Sequence, residues 1–368
     1  MRLSMPLLAT ALVLGLEGCS SPNQPNPVTD AGGDVDPSLL AAPPTGRGFQ
    51  MSTGDISVAA GTEEQDCYFF KVSELATAAG LDGTKPVNLH RIQAAQRKGS
   101  HHMNIFRVKT IVGLDPKNGA VQTGTNGAGE CFKSGNWADW PLVANSQIDG
   151  DIDWTYPDGV ASTFSPDEYL MLQTHWVNAS TQKTDAYGKV RVNFWTIPDA
   201  DVKYQLGTLF ATKQSIRVCQ KNPKPTFEGS CQIKSAQPVH IIGANGHFHS
   251  RGKTFDMYSW DGTSTTTPPT SAKFYESDTW DTPPMLTSPK LDLTLPANAG
   301  IWYSCSYDWQ PPEASVGCDG LNAFDATKYK TPPEGQDCCY TFGPIVEKNE
   351  HCNAFVYYYP KADDITCF

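Results

Sequence analysis

Charge is scarce in this 368-residue chain, where Asp, Glu, Lys and Arg together make up 18%. What charge there is leans acidic, 39 acidic against 28 basic side chains, for a formal net of −11. That sign argues against a grip on nucleic acid or anionic lipid, both of which call for clustered cations. No apolar run is long enough to span a bilayer comfortably. No glycine-rich loop follows a strand and opens a helix, so nucleotide binding has no support. Neither a Gly-x-Ser-x-Gly elbow nor a Ser-His-Asp order suggests acyl transfer. The cysteines contain no C-x-x-C pair of the zinc type, and no repeat of solenoid length is visible. Histidines number only eight, so any grouping among them carries weight.

What is abundant points one way. Aromatic residues reach 11%, with 31 Gly and 28 Pro, a profile that suits a loop-rich all-β protein. Runs of strand formers begin near residue 65: Cys67–Val72, Met103–Val112, Tyr169–Val177 and Lys189–Thr196, with a turn expected at Asp185–Gly188. The pattern breaks at Ile197-Pro198-Asp199. A second set follows at Ser215–Cys219, Val239–Ile242, Lys253–Trp260, Lys290–Leu295, Ile301–Tyr307 and Asn353–Tyr359, separated by Pro-rich turns. Val72–Ala79 is the one short helix expected. Two tandem antiparallel β-sandwiches of jelly-roll type, over 49–198 and 199–368, are the economical architecture.

The N-terminus predicts export. Arg2 opens a short positive region and Met5–Leu16 is apolar. Leu16-Glu17-Gly18-Cys19 reads as a bacterial lipoprotein processing site, which makes 1–18 a signal peptide and Cys19 the lipidated residue. Glu17 is an unusual occupant of that box, so an ordinary secretory signal is the alternative. Ser20 after the cysteine favours the outer membrane in a Gram-negative cell. Residues 19–48 then form a flexible tether rich in Pro, Gly, Asn and Asp. The membrane is reached through the lipid anchor alone. Export also bears on the other ten cysteines, an even number in an oxidising compartment, for which structural disulfides are the default.

The histidines fall into groups. In a strand, residues i and i+2 point to one face, so His247 and His249 of Gly246-His247-Phe248-His249-Ser250 aim into one space. His351, arriving from another strand, would complete a three-nitrogen site of a kind suited to copper or zinc, with a position left open. His101 and His102 are adjacent and face opposite ways in a regular strand, so both can serve one ion only at a strand end or a bulge. With His175 they would make a second three-imidazole set. His240 is expected in the core or as a hydrogen-bond partner of a ligand, and His90 in a structural role. Acidic pairs such as Glu63-Glu64 and Asp363-Asp364 read as solvated surface.

These residues resemble the copper type II, ascorbate-dependent monooxygenases, the family of peptidylglycine α-hydroxylating and dopamine β-monooxygenases. The resemblance runs in order through Asp66-Cys67-Tyr68-Phe69, His101-His102-Met103 and Leu172-Gln173-Thr174-His175-Trp176. It continues through Ser230-Cys231-Gln232, His247-x-His249 with Gly252-Lys253, and Glu350-His351-Cys352-Asn353-Ala354-Phe355. It implies two sandwiches with one copper each across a solvent cleft. The copper on His101, His102 and His175 would supply an electron; that on His247, His249 and His351 would bind O2 and hydroxylate a C–H bond of a small or peptidyl substrate. Ascorbate or another donor would be the reductant. The resemblance further implies disulfides Cys305–Cys352 and Cys231–Cys367. The pairing of Cys67, Cys131, Cys219, Cys318, Cys338 and Cys339 stays open.

Two departures bear on activity. The family's ligand at position 351 is a methionine, a soft thioether favouring Cu(I), whereas His351 is a harder donor. The arginine that grips a peptide carboxylate is replaced by Asn245, and its partner tyrosine by Phe355, while Asn353 persists. A neutral amide lacks the bidentate grip of a guanidinium, which disfavours peptide amidation. Asn245, Asn353 and Phe355 remain the candidate substrate residues. The rival expectation is a non-catalytic surface lipoprotein that sequesters, delivers or shuttles copper.

Overall fold

The computed structural model describes residues 40–96, 100–109, 120–125, 140–146, 152–178, 186–311, 337–343, 346 and 348–368. The signal peptide, Cys19, Cys131, Cys318 and most of the tether lie outside them. The described chain is all-β, with one α-helix at Val72–Ala78.

In the first half, a five-stranded sheet runs in the order Ala120–Thr125, Thr62–Lys71, Tyr169–Asn178, Ser100–Arg107, Leu142–Ser146. A second sheet is built on Gly48–Ser52, Val190–Ile197 and Val87–Gln96. Between them Phe49, Phe69, Phe106, Phe164 and Phe194 are fully buried. In the second half, Val239–His247, Asn353–Tyr359 and Gly207–Thr212 are consecutive neighbours in a six-stranded sheet. It faces a four-stranded sheet of Thr226–Gln232, Gly300–Tyr307, Gly252–Trp260 and Lys273–Ser277 across a second core that includes Phe248, Phe255, Tyr275 and Tyr303.

Tyr169–Asn178 shows why the sequence of a central strand is not a simple alternation. It is buried along nearly its whole length, between Thr62–Lys71 and Ser100–Arg107. Period two puts Leu170, Leu172 and Thr174 on one face, and Met171, Gln173 and His175 on the other. The polar members of the second face are covered by the other half of the chain. Asn145 donates to the Asn245 amide oxygen at 2.9 Å and accepts from the Tyr357 hydroxyl at 2.5 Å. Phe210, Ile242, Phe355 and Tyr357, all from the second half, pack into the first core.

Some boundaries differ from the sequence expectation. The strand expected over Met103–Val112 ends at Arg107, where the register with Tyr169–Asn178 reaches the pair Leu170–Arg107 and Val108 makes the last bond, to the carbonyl of Tyr169, the neighbour's first residue. Residues 110–112 lie outside the described residues. Ala186–Gly188, expected as a turn, is a short strand paired with Ile56–Val58. Of Lys290–Leu295 only Leu293–Leu295 is strand, since Lys290 and Leu291 turn back to the carbonyl of Thr287.

Three disulfides join described residues: Cys231–Cys367 and Cys305–Cys352, the two pairs the resemblance implied, and Cys219–Cys339. Cys67 and Cys338 are disulfide-bonded as well.

Candidate metal centre

The H-x-H segment sits at the end of its strand, with His247 the last strand residue and His249 in the turn that follows. Between them Phe248 points the other way, buried in the second core and stacked on Phe255. The turn needs glycine at 252, where a Cβ would collide with the Phe248 ring. The two imidazoles therefore leave the core side together.

His351 lies in the link between the short strand Asn349–Glu350 and Asn353–Tyr359. Three contacts hold it: the Cys305–Cys352 bond on the next residue, the Tyr307 hydroxyl donating to its carbonyl at 2.6 Å, and the Phe342 ring at 4.8 Å. The His247, His249 and His351 rings are 4.2–5.1 Å apart by centroid. Their ligand nitrogens all lie within 4.8 Å of one another, so this group could hold a metal ion.

The tautomers suit that role. His249 donates from Nδ1 to the Asn349 carbonyl at 3.0 Å, which leaves Nε2 as the lone-pair nitrogen. His247 Nε2 and His351 Nδ1 are 3.0 Å apart. Two nitrogens each about 2.0 Å from a tetrahedral ion stand about 3.3 Å from one another. The residues present fit a metal.

A carboxylate organises the centre, and composition alone could not reveal it. Glu350 is fully buried, accepts from the His249 amide at 3.1 Å and the Arg251 amide at 3.0 Å, and pairs with the Arg251 guanidinium at 3.6 Å. Arg251 in turn donates to the Val346 carbonyl at 3.0 Å and lies 3.6 Å from the centre of the Tyr340 ring. Glu350 thus ties the turn bearing His249 to the segment bearing His351. The available signal was its place beside a candidate ligand; read as one more acidic residue it would be surface. Burial raises its carboxyl to about 7, against the opposing pull of Arg251. Burial, then the neighbouring His175, lowers His351 to about 3.

These shifts oppose each other in the metal-free chain. His351 is neutral in the fold while the unfolded chain takes up its proton near pH 6.5, so its contribution is full above 6.5 and is lost as pH falls toward 3. Glu350 does the reverse: its burial cost is full above about 7 and is relieved as pH falls to 4.5. Wild-type stability relative to a His351→Phe variant should therefore decline as the pH is lowered through 6 to 4. Urea unfolding of both proteins at a series of pH values checks this, and a constant difference would refute it.

The other histidine set is partly in view. His175 and His102 are cross-strand partners with rings 4.9 Å apart, both buried. The register then jumps from the pair His175–His102 to Trp176–Ser100, so His101 is the residue passed over. That is the bulge under which adjacent histidines can serve one space; the His101 side chain lies outside the described residues. Where the resemblance implies a solvent cleft between the two sets, the structure has contact: the His102 and His247 rings are 5.4 Å apart, edge to face.

The three candidate substrate residues differ in what they offer. Both ends of the Asn245 amide are engaged, by Asn145 and by the Pro284 carbonyl at 3.0 Å. Phe355 is buried and stacked on Phe210. Asn353 stands opposite His247 across the strands, buried, with its Oδ1 lacking a hydrogen-bond partner among the described residues. His90 bonds the Val160 carbonyl at 2.8 Å, a structural role. His240, expected in the core or beside a ligand, is instead a half-exposed residue bonded to Asp292 at 3.1 Å. It lies near the start of the strand Val239–His247, whose other end carries His247, too far to support the metal ligands.

No family model matches the chain, and no curated protein does. Among solved structures it is similar to the cowpea mosaic virus top component, a naturally occurring empty particle. The identity is 8% over 89% of this chain and 94% of that one, with a TM-score of 0.31. It is also similar to broad bean stain virus, at 7% identity over 90% and 97% and a TM-score of 0.31. Likeness this distant carries no argument, and the site is read from its own chemistry.

Proposed function

We propose that this chain is an exported dicopper monooxygenase, held to the cell envelope through Cys19, that hydroxylates a C–H bond using O2 and a reductant such as ascorbate. The observation that carries the reading is the group of three imidazoles, His247, His249 and His351, held within ligand distance of one another beside a second histidine pair. Imidazole suits copper, zinc, iron and nickel; the ordered resemblance to copper monooxygenases selects copper. His247, His249 and His351 would hold one ion and His102, His175 and His101 the other. Bound copper would supply the redox chemistry with O2. The chain's own part is to fix imidazole orientation through Asn349 and Glu350, to exclude water by burial, and to present Asn353 beside His247 toward a substrate. Overall, the C–H bond and O2 take up two electrons and two protons from the reductant and yield an alcohol and water.

The second reading is a copper-binding protein without turnover, favoured by the third ligand being a nitrogen rather than a thioether. One experiment separates the two. Mature protein freed of loosely bound metal is assayed for retained copper with zinc in competition, then for ascorbate-dependent O2 uptake coupled to product. Two coppers with coupled uptake support the enzyme; two without uptake over a broad substrate screen support the binding protein; none, or zinc alone, ends both. His351→Met is expected to raise any hydroxylase activity, and no gain with copper still bound would show that the thioether is not what limits it.

A further inference from the structure

The strand that ends at His247 begins, eight residues earlier, beside a different feature. At about 3.4 Å per residue His240 lies roughly 24 Å from His247. There a cavity of about 330 Å³ opens at the surface, lined by Tyr156 and Pro157 from the first half and Ser288, Pro289, Asp292 and Tyr359 from the second. That volume falls within the ordinary range for small-ligand sites.

Its walls have one chemical character. Tyr359 contributes aromatic surface and the two prolines rigid apolar surface, while Tyr156, 2% exposed, adds little of its own. His240 stacks nearly parallel to Tyr359, 5.0 Å between centroids, and Tyr204 meets the same ring at 5.6 Å. The floor is braced: the Trp154 indole donates to the Ser288 hydroxyl at 3.1 Å and packs on Tyr156 at 4.7 Å. Among the described residues the single charged lining residue is Asp292, whose side chain is 60% exposed, and no described lysine or arginine lines the cavity to receive an anion. Aromatic rings and one carboxylate around a small cavity attract cations through ring quadrupole and charge together. The net charge of −11 draws ligands of the opposite sign, which are cations.

The geometry points to a second binding site here, for a small organic cation with an apolar body: an alkyl- or arylammonium compound, or a cationic side chain of a peptide. It is separate from the histidine centre and independent of metal.

The test is calorimetric titration of the mature chain, copper-free and copper-loaded, with three probes of similar size: benzyltrimethylammonium, benzyl alcohol and benzoate. The ammonium should bind saturably and about tenfold or more tighter than the alcohol, benzoate should not bind, and metal loading should change nothing. Asp292→Asn, at an exposed side chain, should weaken ammonium binding about fivefold and leave the alcohol unaffected. Tyr359→Leu should remove most of the cation preference. Benzoate binding as well as the ammonium, no saturation by the ammonium at millimolar concentration, or an Asp292→Asn variant identical to wild type would each overturn the proposal. A result in which the ammonium binds and copper does not would leave this site standing and sink the monooxygenase reading.

Discussion

Replacing Glu350 with alanine should destabilise the fold by about 3–5 kcal/mol, the range for removing one partner of a buried ion pair. The carboxyl is fully buried and receives the His249 and Arg251 amides. Without it both donors lose their acceptor and the Arg251 guanidinium loses its carboxylate partner, while its contacts with the Val346 carbonyl, Ser250 and the Tyr340 ring remain. Glu350→Gln retains an amide oxygen for one backbone donor, so it should cost clearly less than the alanine change. The metal centre should suffer in parallel, since the turn carrying His249 is no longer fastened to the segment carrying His351. A loss of about 10–100-fold in metal affinity is the expected scale for a group that orients ligands. Urea unfolding and copper titration against a chelator of known affinity measure the two effects. If Glu350→Ala unfolds at the wild-type midpoint, the ion pair is not what holds the turn.

His249→Ala should have the largest effect on metal binding. His249 is the most buried of the three ligands, and its Nδ1 bond to Asn349 fixes which nitrogen is offered. Its removal leaves two imidazoles, one of them half-buried, and affinity at this position should fall by about 100-fold or more, at or beyond the upper end of what orienting groups cost. His240→Ala serves as the control, because that ring sits at the far end of the strand on Tyr359. Copper stoichiometry under chelator competition should drop by one ion in His249→Ala and stay unchanged in His240→Ala. Retention of the full count in His249→Ala would mean that nitrogens from the other set, His102 foremost, complete the site.

Much of the frame was legible beforehand because its causes are local. Runs such as Asn353–Tyr359 and Ile301–Tyr307 read as strands from residue type, and Val72–Ala79 as a helix, which the structure has over Val72–Ala78. The i, i+2 spacing was enough to bring His247 and His249 to one side, and the His101-His102 pair came with its own condition, a bulge, which the register meets at that residue. Boundaries were less legible where pairing sets them: Arg107 ends its strand because a neighbour ends, and Ala186–Gly188 is strand because Ile56–Val58 lies beside it.

By itself, then, the sequence determined the all-β class, the strands' two-residue period and the imidazole types available for a metal, since each follows from a residue and its near neighbours. Tertiary structure alone decided that Glu350 is a buried brace rather than surface charge. It alone decided that Asn245 joins the two halves through Asn145, that His102 touches His247, and that His240 borders a cavity with Asp292 and Tyr359. Burial and contact between residues a hundred positions apart depend on how sheets cross and pack, and no local pattern along the chain encodes that geometry.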